Sequence, residues 1–194
     1  MSLARSDRPA WQVSALAAGG FVVLLWAIEV IDVAASHRLD RWGIRPRSDE
    51  GLVGILAAPL LHGGWDHLLA NTLPALVLGF LTLATGLARG LAATAIIWLV
   101  GGLAVWLLAG GHSVHLGASG VIFGWVAYLV VQGFVDRDPK EIGIGVVVLI
   151  VYGSVLWGVL PGQPGVSWQG HLFGAVAGVI AAVVLRERKA SIAL

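Results

Sequence analysis

Six long apolar stretches constrain this sequence more than any other feature. They cover about residues 11–31, 65–85, 88–109, 119–135, 142–160 and 168–186, and a helix needs roughly 20 apolar residues to cross a bilayer. Of all residues, 58% are hydrophobic and only 12% are charged, whereas a soluble domain carries about 25% charged residues. We therefore predict an all-α membrane protein, in which six transmembrane helices form one bundle with the lipid bilayer as solvent.

The basic residues predict how these helices are oriented. Of the 12 Lys and Arg residues, eight lie on the side that both termini share after six crossings. These eight are Arg5, Arg8, Arg89, Arg137, Lys140, Arg186, Arg188 and Lys189. Because Lys and Arg are enriched in cytoplasmic segments, we predict that both termini are cytoplasmic. The net charge of +1 gives no reason to expect a nucleic-acid partner.

Residues 1–194 are expected to form a single membrane domain, with cytoplasmic tails at 1–10 and 187–194. The long loop at 32–64 is predicted on the outer side, although it holds the four remaining basic residues. Its apolar piece at 51–61 is too short to span a bilayer. We expect this piece to lie at the outer face or against the edge of the bundle.

The fourth span is shorter than the others. From Ser119 to the charges at Asp136 and Arg137, a straight helix reaches only about 26 Å at 1.5 Å per residue, and the hydrocarbon core is about 30 Å thick. We therefore predict a recessed helix that begins at Ser119, below the outer surface. The preceding residues 110–118 must then enter the membrane as irregular backbone, which is tolerated only inside protein or beside water.

Polar side chains at membrane depth are costly and commonly functional. His67 and Asn71 are four residues apart in the second span, so they share one helix face. His171 lies near the outer end of the sixth span. A serine hydroxyl beside an imidazole is a nucleophile with its base, which makes Ser119 and His171 a candidate catalytic pair.

Small residues predict how the fourth and sixth spans meet. Gly120 and Gly124 in the fourth span, and Gly174 and Gly178 in the sixth, have the spacing that lets membrane helices approach closely. Packing through these glycines would bring the candidate serine and histidine to the same end of the seam.

Each of these features also has a structural explanation when it is taken alone. Gly-x-Ser-Gly is a weak motif, and Ser119 can be a small residue in a helix contact. His67 and Asn71 can be an interhelical hydrogen-bonding pair. His112 and His115 can be metal ligands, but we expect a solvated loop there. Catalysis is favoured because the three polar features occur together and in this order.

Three segments, HGGWDHLLAN (62–71), GASGVIFG (117–124) and GHLFGAVAG (170–178), together resemble the rhomboid intramembrane serine proteases. The resemblance covers about residues 55–185 and implies a rhomboid-like bundle of six helices. It implies that Ser119 is the nucleophile and His171 the general base, with no acidic third member. Gly117, Gly120, Gly174 and Gly178 are its supporting glycines.

The resemblance also assigns roles to the second span. His67 and Asn71 match the residues that stabilise the oxyanion, together with the Ser119 backbone N–H. His62 matches a further histidine of this helix that is not itself catalytic. The family usually stacks a tyrosine on the catalytic histidine, and this chain has Phe123 there. We expect the phenyl ring to orient His171 by packing.

Another departure is in the first loop, where the family often has Trp-Arg and this chain has Arg41-Trp42. The implied activity is cleavage of transmembrane segments of single-pass or multi-pass membrane proteins near their outer ends. No cofactor or metal is required, and no soluble domain is appended, which suggests a minimal prokaryotic form in the cytoplasmic membrane. The oligomeric state stays open.

Two alternatives remain. The chain can be an inactive rhomboid-like protein that binds client helices, although it keeps both Ser119 and His171. It can also be a small transporter or metal carrier, but only one carboxylate, Asp66, sits beside the second-span histidines, and no inverted repeat is visible. The absence of cysteine and of a His-Glu-x-x-His motif excludes thiol proteases and zinc proteases of that type.

Overall fold

The structure is a computed structural model that describes residues 8–163 and 165–187. Within those ranges its regular secondary structure is helical, apart from one antiparallel bridge between Ile44 and His115. The α-helices are α1 (Ala10–Ala34), α2 (Asp49–Ala57), α3 (Trp65–Ala84), α4 (Leu87–Leu108), α5 (Ser119–Asp136), α6 (Pro139–Tyr152) and α7 (Trp168–Val184). Most of the predicted tails at 1–10 and 187–194 lies outside the described residues.

The long helices have the length and composition of membrane spans. Among the described residues, α1, α3, α4, α5 and the segment Pro139–Val159 are each long and apolar enough to cross a bilayer. Helix α7 is apolar but shorter, with 17 residues. Large side chains such as Val23, Ile150 and Val184 point away from the bundle, with 68%, 77% and 65% of their surface exposed. Such an apolar exterior fits lipid, so the predicted membrane bundle is confirmed.

Helix α6 differs from the sequence-based prediction at both of its ends. We predicted the fifth span at 142–160, but α6 begins at Pro139, because the Asp138 side chain caps it by accepting from the backbone N–H groups of Lys140 and Glu141. The α-helix also ends early, at Tyr152, and continues as a 3-10 segment over Gly153–Val159. This change of helix type moves Gly158 toward α7.

The apolar piece of the outer loop forms α2 and a 3-10 turn over Ala58–Leu60. Ser48 caps α2 by accepting a hydrogen bond from the Gly51 N–H. The Trp98 and Trp106 indoles of α4 donate to the carbonyls of Ile55 and Ser48 at 2.9 Å. These bonds place α2 against the edge of the bundle, one of the two positions expected for it.

Helix α5 is the central helix and packs against α3, α4, α6 and α7. Its closest neighbour is α7, and glycines form the contact between them. A Cβ atom on Gly174 would lie 2.0 Å from the Gly120 carbonyl oxygen, and one on Gly178 would lie 2.1 Å from the Gly124 oxygen. Because only hydrogen fits at these positions, the two backbones approach directly.

Candidate active site

The segment between α4 and α5 is irregular, and backbone hydrogen bonds hold it in place. Ile44 and His115 exchange two of these bonds, at 2.8 and 2.9 Å, and the Gly117 N–H donates to the Ala58 carbonyl at 2.9 Å. Gly117 has a φ of +113°, a conformation that side chains rarely allow. The chain turns there, and Ser119 becomes the first residue of α5.

Ser119 and His171 are in direct contact. The Ser119 Oγ and the His171 Nε2 are 2.9 Å apart, and the His171 Nδ1 is 2.9 Å from the Gly158 carbonyl oxygen. A carbonyl can only accept a hydrogen bond, so Nδ1 carries the ring proton. The Nε2 atom is then free to accept the hydroxyl proton of Ser119.

The imidazole of His171 is also stacked on Phe123. Their ring centroids are 4.0 Å apart and the rings are inclined by only 9°. Gly158 packs directly against both rings. A Cβ atom at this position would lie only 3.0 Å from the His171 Nδ1 and 3.0 Å from the Phe123 Cζ. No local pattern signals the role of Gly158, because in the sequence it resembles any other glycine of a membrane helix.

His67 faces the turn that precedes Ser119. A Cβ atom on Gly117 would lie 2.7 Å from the His67 Nε2 and 3.6 Å from the Ser119 Oγ. The Gly63 N–H donates to the His67 Nδ1 at 3.3 Å, so the ring proton is on Nε2. His67 therefore presents an N–H donor next to the serine.

Asn71 is buried one turn further along α3, with 4% of its surface exposed. Its side-chain Nδ2 donates to the His67 carbonyl at 2.7 Å. An amide group has two N–H donors, so this bond uses one and leaves the other. His67, Asn71, Ser119, Phe123 and His171 all line the same cavity.

His62 does not lie in the helix in which we predicted it. It precedes α3, which begins at Trp65, because the positive φ of Gly64 (+109°) turns the chain between them. Its Nε2 accepts a long hydrogen bond, 3.4 Å, from the Ala118 N–H. Burial, with a contribution from nearby His67, lowers the pKa of His62 from 6.5 to about 4. An uncharged His62 thus supports the backbone immediately before the serine.

His115 is buried, which corrects our expectation that this loop is solvated; His112 is exposed as expected. The His115 Nε2 lies 2.7 Å from the Ser113 Oγ, and its Nδ1 lies 2.6 Å from the Ser167 Oγ. Burial lowers the pKa of His115. Ser167 is the N-cap of α7 and accepts from the Gly170 N–H. His115 therefore joins the loop before Ser119 to the start of the helix that carries His171.

The cavity above this site has a volume of about 820 Å³, which lies in the range of ligand-binding clefts. A hydroxyl that touches an imidazole acceptor, beside an N–H donor from a second histidine, has the components for nucleophilic attack on a carbonyl.

Comparisons with known proteins agree with this architecture. A family model described as the rhomboid domain matches residues 49–188. An uncharacterized protein of Mycobacterium tuberculosis is 53% identical over 195 residues, which cover 95% of this chain and 81% of that protein. A putative rhomboid protein of Acanthamoeba polyphaga mimivirus is 28% identical over 151 residues, or 73% of this chain and 80% of that protein. Rhomboid-like protease 5 of Toxoplasma gondii is 34% identical over 128 residues, 62% of this chain and 14% of that protein.

Proposed function

This chain belongs to the rhomboid family, and from that premise we propose that it is an intramembrane serine endopeptidase with Ser119 and His171 as its catalytic residues. The observation that carries the proposal is the 2.9 Å contact between the Ser119 Oγ and the His171 Nε2, with Nδ1 of the same ring bound to a carbonyl. This tautomer is the one a general base needs. Proton transfer to a general base held in position typically increases the reaction rate by about 10²- to 10⁴-fold.

The reaction follows from these positions. Ser119 Oγ attacks the carbonyl carbon of a substrate peptide bond while His171 Nε2 takes the hydroxyl proton. The resulting oxyanion is bound by donors from the Ser119 N–H, His67 Nε2 and Asn71 Nδ2. His171 then gives the proton to the leaving amine nitrogen, which frees one product and leaves an acyl-enzyme on Ser119.

Water completes the cycle. A water molecule from the cavity attacks the acyl carbon while His171 Nε2 accepts one of its protons. His171 then returns this proton to Ser119 Oγ as the bond between Oγ and the acyl carbon breaks, and the second product leaves as a carboxylic acid. The Ser119 N–H suits the oxyanion because the first N–H groups of a helix have no partner within it and lie at the positive end of its dipole. Each step uses only side chains and backbone of this chain.

The substrate is a transmembrane segment of another membrane protein, cut near its outer end. Ser119 begins α5 rather than lying in its middle, so cleavage occurs close to one membrane face. A helix keeps its peptide bonds in internal hydrogen bonds, so the substrate must unwind locally before it can enter the cavity. Glycine and other helix-weakening residues near the cleaved bond are expected to favour cutting.

The decisive experiment is cleavage of a model single-pass substrate by the purified protein in detergent. Ser119→Ala and His171→Ala are each expected to abolish cleavage, and the wild-type protein is expected to react with a fluorophosphonate at Ser119 alone. Ser154→Ala, at an exposed serine of the 3-10 segment, is the matched control and should keep both activities.

An inactive protein that only binds client helices would neither cleave the substrate nor react with the fluorophosphonate. Cleavage that survives in Ser119→Ala but is lost with a chelator would indicate metal chemistry instead. Either result would reject the proposed mechanism.

A further inference from the structure

Four ionisable side chains meet at the end of α1, and none of them lines the cavity that contains Ser119. Glu29 and Asp32 lie three residues apart, so they share a face in the last turns of α1. His37 and Asp40 follow in the outer loop. Ser36 and His37 both have positive φ angles, +58° and +56°, and the chain turns back there toward Asp32.

The spacing of these groups suits a bound cation. The His37 Nδ1 is 3.6 Å from the Asp32 Oδ2 and 3.9 Å from the Asp40 Oδ2. One ligand atom from each of the three residues lies within 4.8 Å of the other two. Metal–ligand bonds of about 2.0–2.5 Å place neighbouring ligands roughly 3–4.5 Å apart, so small side-chain movements close the site.

The carboxylates are buried and lack ordinary partners. Glu29 and Asp32 are each only 1% exposed. Both oxygens of Glu29 and the Asp32 Oδ2 have no hydrogen-bond partner in the described part of the chain, and the same holds for the Asp40 Oδ1. The other Asp32 oxygen accepts from the Leu39 N–H at 2.6 Å. A buried carboxylate is expensive unless it is paired or coordinates a metal.

Among the described residues, no Lys or Arg side chain forms an ion pair that would balance the negative charge of this cluster. Among the ion pairs of the described residues, those to Asp32 and Asp40 come only from His37, whose side chain is half exposed. Glu29 is in electrostatic contact with Asp32, Asp40 and His37. Three carboxylates thus converge on one imidazole, which leaves unbalanced negative charge in a confined space.

We propose that Glu29, Asp32, His37 and Asp40 bind a divalent metal ion of the Zn²⁺ type, in a structural site separate from the catalytic residues. Carboxylate oxygens alone would suit Ca²⁺ or Mg²⁺, whereas an imidazole nitrogen beside them favours Zn²⁺ or a similar first-row metal. The inference does not depend on the proposed protease function, because it concerns other residues and a separate ligand.

The position of the site indicates what the metal does. The Glu29 carboxylate lies close to the backbone N–H of Gly64, although it makes no hydrogen bond of ordinary geometry to it. Gly64 is the N-cap of α3, the helix that carries His67 and Asn71. A metal bound here links the end of α1, the outer loop and the start of α3, and so stabilises the outer half of the bundle.

The competing explanation is a cluster of protonated carboxyls that share hydrogen bonds. Burial raises the pKa of Asp40, and the nearby Asp32 carboxylate raises it further. The two explanations differ in their response to metal. A protonated cluster is stabilised by acid and is indifferent to Zn²⁺, whereas a metal site needs deprotonated ligands and loses its ion at low pH.

The test uses the full-length protein in detergent, stripped with a chelator and then titrated with Zn²⁺, Mn²⁺ or Ca²⁺. We expect one Zn²⁺ per chain by elemental analysis, a higher melting temperature with Zn²⁺, and a weaker effect of Ca²⁺. Asp32→Asn keeps the oxygen that accepts from Leu39 while removing the charge. His37→Gln alters a half-exposed side chain that can be replaced without disturbing the core.

Both variants should weaken Zn²⁺ binding by about 10-fold or more. Glu50→Gln, at an exposed carboxylate of α2 in the same outer loop, should bind Zn²⁺ like the wild type. The proposal is overturned if none of the three ions binds stoichiometrically, or if Zn²⁺ binding and the melting shift persist unchanged in His37→Gln. Cleavage by Ser119 is measured separately, so loss of protease activity alone bears only on the proposed function.

Discussion

His171 is oriented without a carboxylate. The Gly158 carbonyl fixes the proton on Nδ1, and the Phe123 ring fixes the plane of the imidazole, with the centroids 4.0 Å apart. In a triad, a buried acid performs both tasks through one hydrogen bond. Here the Gly158 carbonyl sets the tautomer and the Phe123 ring sets the orientation of the imidazole plane. A substitution of Phe123 should therefore disturb the orientation of His171 without changing its tautomer.

Phe123→Ala removes the stack and should slow turnover by roughly 10- to 100-fold, because a misplaced catalytic group is costly. Phe123→Tyr keeps the flat ring and should have near-normal turnover. Phe123→Leu keeps most of the volume without the flat face, so it separates stacking from simple filling of space. The measurement is kcat per folded molecule, and full activity in Phe123→Ala would show that the ring does not orient the base.

Asn71 tests the oxyanion assignment. If its second amide N–H binds the oxyanion, Asn71→Ala should lower kcat by about 10-fold or more with little change in KM. We expect less than the full loss of about 10²- to 10³-fold, since the Ser119 N–H and His67 remain. Reaction with phosphonates that mimic the tetrahedral intermediate should slow as well.

The rival role for Asn71 is structural, since its Nδ2 already donates to the His67 carbonyl. This bond lies within α3 rather than between helices, and we expect its loss to cost no more than the average of about 0.6 kcal/mol for a side-chain hydrogen bond between membrane helices. Melting temperature and kcat are therefore measured on the same sample. A lower melting temperature with unchanged turnover would remove Asn71 from the oxyanion site.

At the scale of the elements, the site depends on how closely α5 and α7 approach. Gly120 and Gly174 face each other across the seam, one residue after Ser119 and three residues after His171. The Ser119 and His171 side chains, which we propose as catalytic, are thus carried on the same tightly packed pair of backbones. A change in helix separation is transmitted directly to the hydrogen bond between them.

Gly174→Ala should therefore damage both stability and activity. The new methyl group would lie 2.0 Å from the Gly120 oxygen, so the helices must separate, at a cost of about 1–3 kcal/mol. Turnover should fall by roughly 10²-fold if Ser119 and His171 separate by about 1 Å. The matched control is Gly143→Ala in α6, where nothing lies within 4 Å of the added Cβ. Equal behaviour of the two variants would refute the role of the seam.

The helices and their contacts differ in how well the sequence predicts them. Apolar length located the spans, and the glycine spacing anticipated which faces of α5 and α7 meet. The start of α6 differs from the prediction because its first turn is polar: Asp138 is the cap and Pro139 the first helical residue, so the helix begins before the apolar stretch does.

Other parts depend on contacts between distant segments, which no local pattern reveals. Gly158 lies in the 3-10 segment that follows α6, and its carbonyl meets His171 from 13 residues away in the chain. His115 is buried because it pairs with Ile44 and binds Ser167, residues far from it in the chain. The acidic cluster at the end of α1 likewise forms only when His37 turns back. Sequence reasoning could name Ser119, His171 and the stacking ring of Phe123, but not the contacts that Gly158, His115 and Ser167 make around them.

At the scale of the whole molecule, the two ends of the bundle differ in chemistry. The cavity with Ser119 lies at one end of α5, and an ion-pair cluster around Arg89 lies at the other. The positive-inside rule predicts that the Arg89 end is cytoplasmic. In that orientation the cavity would open toward the outer face, as the proposed cleavage site requires.

This orientation predicts that both termini are cytoplasmic. A reporter fused after Leu194 that is active only in the cytoplasm should be active, and one that functions only outside should be silent. A reporter inserted in the outer loop, between Arg45 and Ser48, should give the opposite pattern. The reverse result for the two positions would require an odd number of crossings or an inverted bundle.

Arg89 of α4 joins α5, α6 and the segment that follows α7, and its loss should destabilise the bundle without altering the chemistry. Its guanidinium pairs with the buried Asp136 and lies 3.5 Å from Glu141 and 3.8 Å from Glu187. Asp136 in turn accepts from the backbone N–H of Glu187 at 2.8 Å. Arg89→Ala leaves the Asp136 carboxylate, only 4% exposed, without its cation, and should cost about 3–5 kcal/mol.

A double variant distinguishes the loss of the Arg89–Asp136 ion pair from the cost of leaving the Asp136 carboxylate buried without a cation. Arg89→Met combined with Asp136→Leu removes both charges and should recover much of the lost stability, since apolar replacement of a buried pair is often neutral. Lys140→Ala, at an exposed lysine nearby, should change unfolding by little. Because Ser119 lies at the far end of α5, kcat per folded molecule should stay near the wild-type value in all three proteins. A large fall in kcat for Arg89→Ala at temperatures where it remains folded would show that the inner end is coupled to the catalytic end through α5.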